Sequence, residues 1–139
     1  MQHNMHFPKW FDSGLTNSKM RILIADDSSL FRERIKDLFK SLNNIEIIGE
    51  ATDGNEAIQF IESNSPDVVL LDIRMPGLNG MEVLRNTRSK GNEVVICMLT
   101  NFPYKQYRER SIAAGANYFF DKNLDINLLL EVISSIAKN

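Results

Sequence analysis

Five residues that could share one reaction lie far apart in this chain. Asp26 and Asp27 follow the apolar run Arg21–Ala25, Asp72 follows Val68–Leu71, Thr100 follows Val94–Leu99, and Lys122 follows Asn117–Asp121. An acyl phosphate forms when a carboxylate oxygen attacks phosphorus in line while charge spreads over the phosphoryl oxygens. That chemistry needs a nucleophilic carboxylate, a divalent metal, a second cation and a hydroxyl or backbone donor. Asp72, alone at the end of its run, is the best nucleophile. Asp26 and Asp27 would hold the metal, directly or through its waters, Lys122 would grip a phosphoryl oxygen as a point charge, and Thr100 would donate its hydroxyl. Three carboxylates in one pocket repel unless a cation joins them, and the hard, oxygen-loving choice is Mg²⁺, with Mn²⁺ as a substitute. Taken singly, an Asp after a strand reads equally well as a turn former or helix cap. Capping does not explain why all these residues fall at successive strand ends.

The elements that must position them are legible as alternating patterns. Strand-like apolar runs near 21–25, 45–50, 67–71, 93–99 and 117–120 alternate with helical patterns near 29–42, 54–63, 79–90, 104–114 and 124–137. That is the βα alternation of a parallel sheet. Right-handed crossovers then give an α/β doubly wound, five-stranded sheet, for which we expect strand order 2-1-3-4-5. In such sheets ligands bind outside the carboxyl ends of the strands, where the order reverses. The first helix is the clearest, with Leu30, Phe31, Ile35, Leu38, Phe39 and Leu42 expected on its apolar face and Arg32, Glu33, Lys36 and Lys40 on its wet face. Ser28 or Ser29 can cap it.

Composition bounds the function. The chain has 139 residues, 43% hydrophobic and 24% charged, with a net charge of −2, which fits one globular domain and disfavours a nucleic-acid module. The single Cys97, inside an apolar run, reads as a small buried hydrophobe and favours a reducing, cytoplasmic setting. No apolar stretch approaches the roughly 20 residues of a membrane span, and the first residues lack a signal-peptide pattern. Residues 1–19 carry no period and read as a flexible leader in which Phe7, Trp10 and Phe11 stand out, while His3 and His6 receive no ligand role. The domain is expected to run over 20–139.

The motifs Ile22–Ser28, Glu50–Ala57, Pro66–Gly80, Leu99–Thr100 and Ala114–Lys122, in this order and spacing, closely resemble the receiver domain of two-component response regulators. The resemblance covers all but the leader and implies a flavodoxin-like (βα)5 fold. It implies Asp72 as the phosphoacceptor from a sensor histidine kinase or phosphotransfer protein in a phosphorelay. It implies Mg²⁺ on Asp27 and Asp72, with Asp26 acting through water and the main-chain carbonyl of Arg74 as a further ligand. Thr100 and Lys122 carry over as the phosphoryl-sensing pair, and Thr100 with Phe119 at the aromatic switch position would form the switch. A downstream protein would dock on the face of the fourth helix, fifth strand and fifth helix, with phosphorylation-dependent homodimerisation as one form of output. Neither nucleic acid nor membrane is an expected direct partner. Similar receivers precede DNA-binding output domains, whereas this sequence reads as a stand-alone receiver that catalyses only its own phosphorylation and dephosphorylation.

Several positions depart from the family pattern. Asn123 stands where the family usually has a cis proline, so either a strained cis bond or a re-routed loop is expected. Phe119 replaces a tyrosine and can turn between exposed and buried positions without a hydroxyl to anchor either. Tyr118 and Phe120 read as core strand. Tyr104, Tyr107, Arg108, Glu109 and Arg110 read as a solvated helix face. Arg74 and Phe102, two past the acceptor and two past the threonine, flank the approach of a hydrolytic water, and Phe102 is expected to shield the pocket. Among rival readings, an aspartyl-phosphate phosphohydrolase would usually carry an acid where this chain has Arg74, and a nucleotide module would need a glycine-rich phosphate loop that is missing. A phosphorylation-independent, protein-binding pseudo-receiver is the remaining alternative, although it would be expected to have lost one of the site residues.

Overall fold

Side chains alternate between faces along a strand, and here both faces are apolar, which commits the sheet to burial on two sides. Five strands and five helices alternate: β1 Met20–Ala25, α1 Ser29–Phe39, β2 Ile45–Ala51, α2 Gly54–Asn64, β3 Val68–Asp72, α3 Gly80–Ser89, β4 Val95–Thr100, α4 Lys105–Ala113, β5 Tyr118–Asp121 and α5 Ile126–Lys138. The computed structural model describes residues 18–138. The expected leader over 1–19 therefore lies outside the described residues except for Ser18 and Lys19, with His3, His6 and the aromatic residues among those outside.

The strands form one parallel sheet in the order β2-β1-β3-β4-β5, as expected. Leu23, Ala25, Val69, Leu71, Ile96, Met98 and Phe119 pack on one face with Ala57 and Ile61 of α2 and Val83 and Leu84 of α3. Ile22, Ile24, Val68, Leu70, Cys97, Leu99 and Phe120 pack on the other with Ile35 and Phe39 of α1 and Leu129 and Ile133 of α5. Each fully buried aliphatic contributes about 1.5–3 kcal/mol. These layers fix the strands rigidly, and with them the residues at their carboxyl ends.

Two details differ from the periodic reading of α1. Leu30, expected on the apolar face, is 83% exposed. It comes one residue before Phe31, and that step of about 100° carries it away from the face shared by Phe31, Ile35, Leu38 and Phe39. The helix also ends at Phe39 rather than 42, because Lys40 and Leu42 donate to carbonyls three residues back and Asn44 takes a left-handed φ of 65°. Leu42 still packs against the core from beyond the helix.

The β3–α3 connection shows why glycine is needed close to the site. Gly77 turns with φ 70°, a value costly for other residues. Gly80 opens α3 directly against β3, and a Cβ there would come within 2.1 Å of the Asp72 carbonyl oxygen. Its N–H donates to Ile73 O at 2.7 Å, and Asn79 and Glu82 close a capping box on the same helix.

Candidate functional site

β1 and β3 are neighbours whose following helices leave on opposite faces of the sheet, and the crevice this opens lies at their carboxyl ends. Asp26 follows β1 and is fully buried. Its N–H donates to Ala51 O at 2.9 Å, and its Oδ1 accepts the N–H of Ser28 at 2.8 Å. Ser28 in turn caps α1 by accepting the N–H of Phe31. Arg32 braces the junction from α1, donating to the Asp26 carbonyl at 2.7 Å and to Glu50 at 2.7 Å. Asp27, next in sequence, is exposed at the mouth.

Asp72 closes β3 and is buried; its Oδ1 has only a long contact, 3.4 Å, from the Arg74 N–H. Burial, and then the negative charge of Asp26, push its carboxyl up to about 6, with Lys122 and the Arg74 N–H pulling the other way. Carboxylate oxygens of Asp26, Asp27 and Asp72 all lie within 4.8 Å of one another. Thr100 ends β4, also buried, and its hydroxyl accepts the Phe102 N–H at 2.8 Å.

Lys122 supplies the cation. Its N–H donates to Thr100 O at 2.9 Å, and the side chain, 5% exposed, carries Nζ to 2.5 Å from Asp26 Oδ2 and 3.4 Å from Asp72 Oδ2. The same ammonium sits 4.4 Å from the centre of the Phe31 ring. Despite that close ion contact, Asp26 Oδ2 has no properly directed hydrogen bond. A buried carboxylate oxygen short of a directed donor, in a cluster of three acids facing one ammonium, fits a hard divalent ion with oxygen ligands. Mg²⁺ or Mn²⁺ matches that donor set.

Arg74 and Phe102 form the rim next to α4. The Arg74 guanidinium lies 4.1 Å over the Phe102 ring, and its Nη2 is 3.5 Å from the Tyr107 hydroxyl. Arg74 is thus turned toward the β4–α4 side and not over Asp72. Phe102 is 36% exposed, so it borders the pocket without sealing it. Phe119 is buried in the core with the Arg108 guanidinium 4.8 Å from its ring centre, while the Thr100 hydroxyl is held by Phe102. Of the two positions expected for Phe119, the structure holds the inward one.

At the Lys122–Asn123 junction the loop is re-routed, with no cis peptide bond among the described residues. Asn123 donates its N–H to Asp121 Oδ1 at 2.7 Å, a bond that proline could not make. Sequence reasoning missed this bond, the Phe31 contact with Lys122 and the Arg32 brace. Asp121-x-Asn123 carries an Asx-turn signal, but Phe31 was absorbed into the helical period and Arg32 into the wet face. Tyr104 and residues 108–110 are exposed, as expected of a solvated face, whereas Tyr107 is half-buried against the core. Cys97 is fully buried, and burial pushes its thiol up to about 12, which removes it as a nucleophile.

Residues 22–134 match the model of the response regulator receiver domain. The transcriptional regulatory protein DegU of Brevibacillus brevis is 30% identical over 124 residues, which is 89% of this chain and 52% of DegU. The chain thus spans about half the length of the curated relatives it matches over most of its own length. Among solved structures, the signal receiver domain of NarL from Mycobacterium tuberculosis superposes with a TM-score of 0.79 at 29% identity, covering 87% of this chain and 98% of that one. A Borrelia burgdorferi CheX–CheY complex with BeF3 and Mg²⁺ superposes with a TM-score of 0.77 at 28% identity, covering 84% and 88%.

Proposed function

This chain belongs to the response regulator receiver family, and from that premise we propose that Asp72 accepts a phosphoryl group from a histidine kinase or phosphotransfer protein. The convergence of Asp26, Asp27 and Asp72 with the buried Lys122 carries this reading. Mg²⁺, held by Asp27 and Asp72, by Asp26 through water and by the Arg74 carbonyl, would neutralise the acids and the developing phosphoryl charge. The Borrelia burgdorferi CheX–CheY complex, which contains BeF3 and Mg²⁺, supports that assignment. An Asp72 carboxylate oxygen bonds to phosphorus as the phosphorus–nitrogen bond of phosphohistidine breaks, and the departing imidazole takes a proton. Lys122 binds one phosphoryl oxygen and the Thr100 hydroxyl, released from Phe102, donates to another.

The phosphorylated form then switches partner binding on the α4–β5–α5 face or passes the phosphoryl group onward, acting on no external substrate. One relative, a protein-glutamate methylesterase of Pyrococcus abyssi, carries the matched segment as 19% of its length, so receiver sequences also occur joined to enzymes. No helix among the described residues is long and apolar enough to cross a membrane, and the buried thiol suits a reducing compartment.

The test is incubation with acetyl phosphate and Mg²⁺, read by intact-protein mass. One added phosphoryl group, labile to hydroxylamine and absent in Asp72→Asn, is expected. A hydroxylamine-resistant label, or none, overturns the mechanism, and the absence of label with intact partner binding identifies a pseudo-receiver.

A further inference from the structure

Lys122 has a long, flexible side chain that loses rotamer freedom when its charge is held in one place. Its backbone is therefore the natural point of control, and the structure clamps it on both sides. Before the side chain, the Lys122 N–H is tied to Thr100 O at 2.9 Å. After it, the Asp121 carboxylate, 7% exposed, takes the Asn123 N–H at 2.7 Å and the Leu124 N–H at 3.3 Å. A second carboxylate completes the brace: Asp125 Oδ2 accepts the Asp121 N–H at 2.8 Å, while the Asp125 N–H returns to Asp121 O at 2.9 Å. Asp125 O then accepts the Leu129 N–H, which joins the turn to the start of α5.

We propose that Asp121 is a positioning residue for Lys122, its carboxylate fixing the β5–α5 turn through the Asn123 N–H so that Nζ is delivered between Asp26 and Asp72. Asp121 acts through the backbone and not as a counter-ion. The ion pairs of Lys122 are with Asp26 and Asp72, and Asp121 stands outside the three-acid cluster. Where the family usually has a cis proline, this trans turn uses the N–H of position 123, so the role falls to the backbone donor and not to the Asn123 side chain. The proposal rests on Lys122 being the cation that meets the phosphoryl group, but its geometry can be read without any phosphoryl transfer.

Four variants separate the terms: Asp121→Ala removes the acceptor, Asp121→Asn keeps an oxygen acceptor, Asn123→Ala keeps the donor and Asn123→Pro removes it. Each is assayed for labelling rate with acetyl phosphate at saturating Mg²⁺, for the Mg²⁺-induced rise in Tm, and for the exchange-protected 15Nζ ammonium signal of Lys122. Asp121→Ala and Asn123→Pro should label about tenfold to a hundredfold more slowly and lose the ammonium signal, while keeping the Mg²⁺-induced rise. Asp121→Asn and Asn123→Ala should stay within about twofold of wild type, on the same principle of preserved geometry. Equal behaviour within either pair overturns the proposal, and the folded Asn123 pair decides it if Asp121→Ala does not fold. If wild type takes no label but the ammonium signals follow the expected pattern, the phosphoryl-transfer reading fails and the positioning role stands.

Discussion

The β1–β3 end of the sheet and the β4–α4 stretch beside it are held in opposite ways. On the first side every helix start is capped by a side chain: Ser28 for α1, Asp53 for α2, and the Asn79–Glu82 box for α3. Asp26, Asp72 and Lys122 are all buried there, and the Asp26, Ile73 and Lys122 N–H groups are tied to the main-chain carbonyls of Ala51, Leu99 and Thr100. On the second side the N-cap of α4, Tyr104, makes no side-chain cap bond, and the helix buries Ser111 fully and Tyr107 in part while presenting Ile112 to solvent. The ion pair it carries among the described residues, Lys105–Glu109 at 3.8 Å, is exposed and so worth little. Chemistry that depends on placing charges to fractions of an ångström sits on the rigid side. The α4 side is the cheaper one to move, because few buried contacts oppose its displacement. A rigid site and a more easily displaced helix can therefore share one small domain without competing for rigidity.

The sharpest test of that contrast is stability. Leu71→Ala, one residue before Asp72 in β3, should cost about 2–5 kcal/mol in chemical denaturation. Ile112→Ala on α4 should fall within about 0.5 kcal/mol of wild type. Comparable losses would mean that α4 is as firmly built in as the strands and would remove the distinction.

The next effect is electrostatic and confined to the rigid side. The Asp72 carboxyl ionises near 3.8 in the unfolded chain and near 6 in the folded one. Between those values the folded state holds more protons than the unfolded state, so its stability falls as pH rises through the window. The contribution is fully present below the lower value and gone above the upper one, at most about 3 kcal/mol. In metal-free buffer Asp72→Asn should match wild type near pH 4 and gain on it steadily up to pH 7. A constant difference between the two proteins across that range would show that Asp72 is not held in a raised state.

Mg²⁺ should reverse the penalty. At a hundred times its Kd, a ligand specific to the folded state adds about 2.7 kcal/mol, and the gain should fade below pH 6 as protons compete for Asp72. Asp27→Ala should remove most of the rise in Tm. Because Asp27 is exposed at the mouth, the substitution costs the fold little by itself. A variant that keeps the full rise would place the metal elsewhere.

Much of this was legible because buried parallel strands read as unbroken apolar runs, so their ends, and the acids on them, announce themselves. Asp26, Asp27, Asp72, Thr100 and Lys122 were each placed by that signal alone. The first helix was read too broadly, because an apolar residue next to the stripe is not on it. Leu30 comes one residue before Phe31, and that step of about 100° puts it off the stripe formed by Phe31, Ile35, Leu38 and Phe39. Side-chain direction was also out of reach: nothing in the spacing says that Thr100 offers its hydroxyl to Phe102, that Phe119 lies inward, or that Phe31 covers Lys122. The Asn123 junction could be reduced to two outcomes, a cis bond or a re-routed loop. What selected the loop was an acceptor two residues back, a local pairing that residue-by-residue comparison with a family pattern passes over.

The smallest expected effect lies on the boundary between the two sides and concerns how long a phosphoryl group on Asp72 lasts. Hydrolysis needs a water held in line opposite the carboxylate, and catalysis of that step is mostly positioning. Arg74 and Phe102 flank the approach. Stacked at 4.1 Å, with the guanidinium also reaching Tyr107, they form one unit turned toward α4. Neither side chain can accept a hydrogen bond from the water and orient it, and Pro103 stiffens the turn that carries the ring. The countervailing role for Arg74, stabilising charge on the phosphoryl oxygens, would require it to leave Phe102 and swing over Asp72. If Asp72 is phosphorylated, slow self-dephosphorylation is the expected outcome. Replacing Arg74 by Asn and Phe102 by Glu together gives the water an acceptor and unstacks the rim, and phosphate loss should quicken by about tenfold, equivalent to about 1.4 kcal/mol in the barrier. The measurement is a time course of phosphate release from purified phosphoprotein at constant Mg²⁺. A double variant that decays no faster than wild type would put control of lifetime inside the rigid pocket and not at its border with α4.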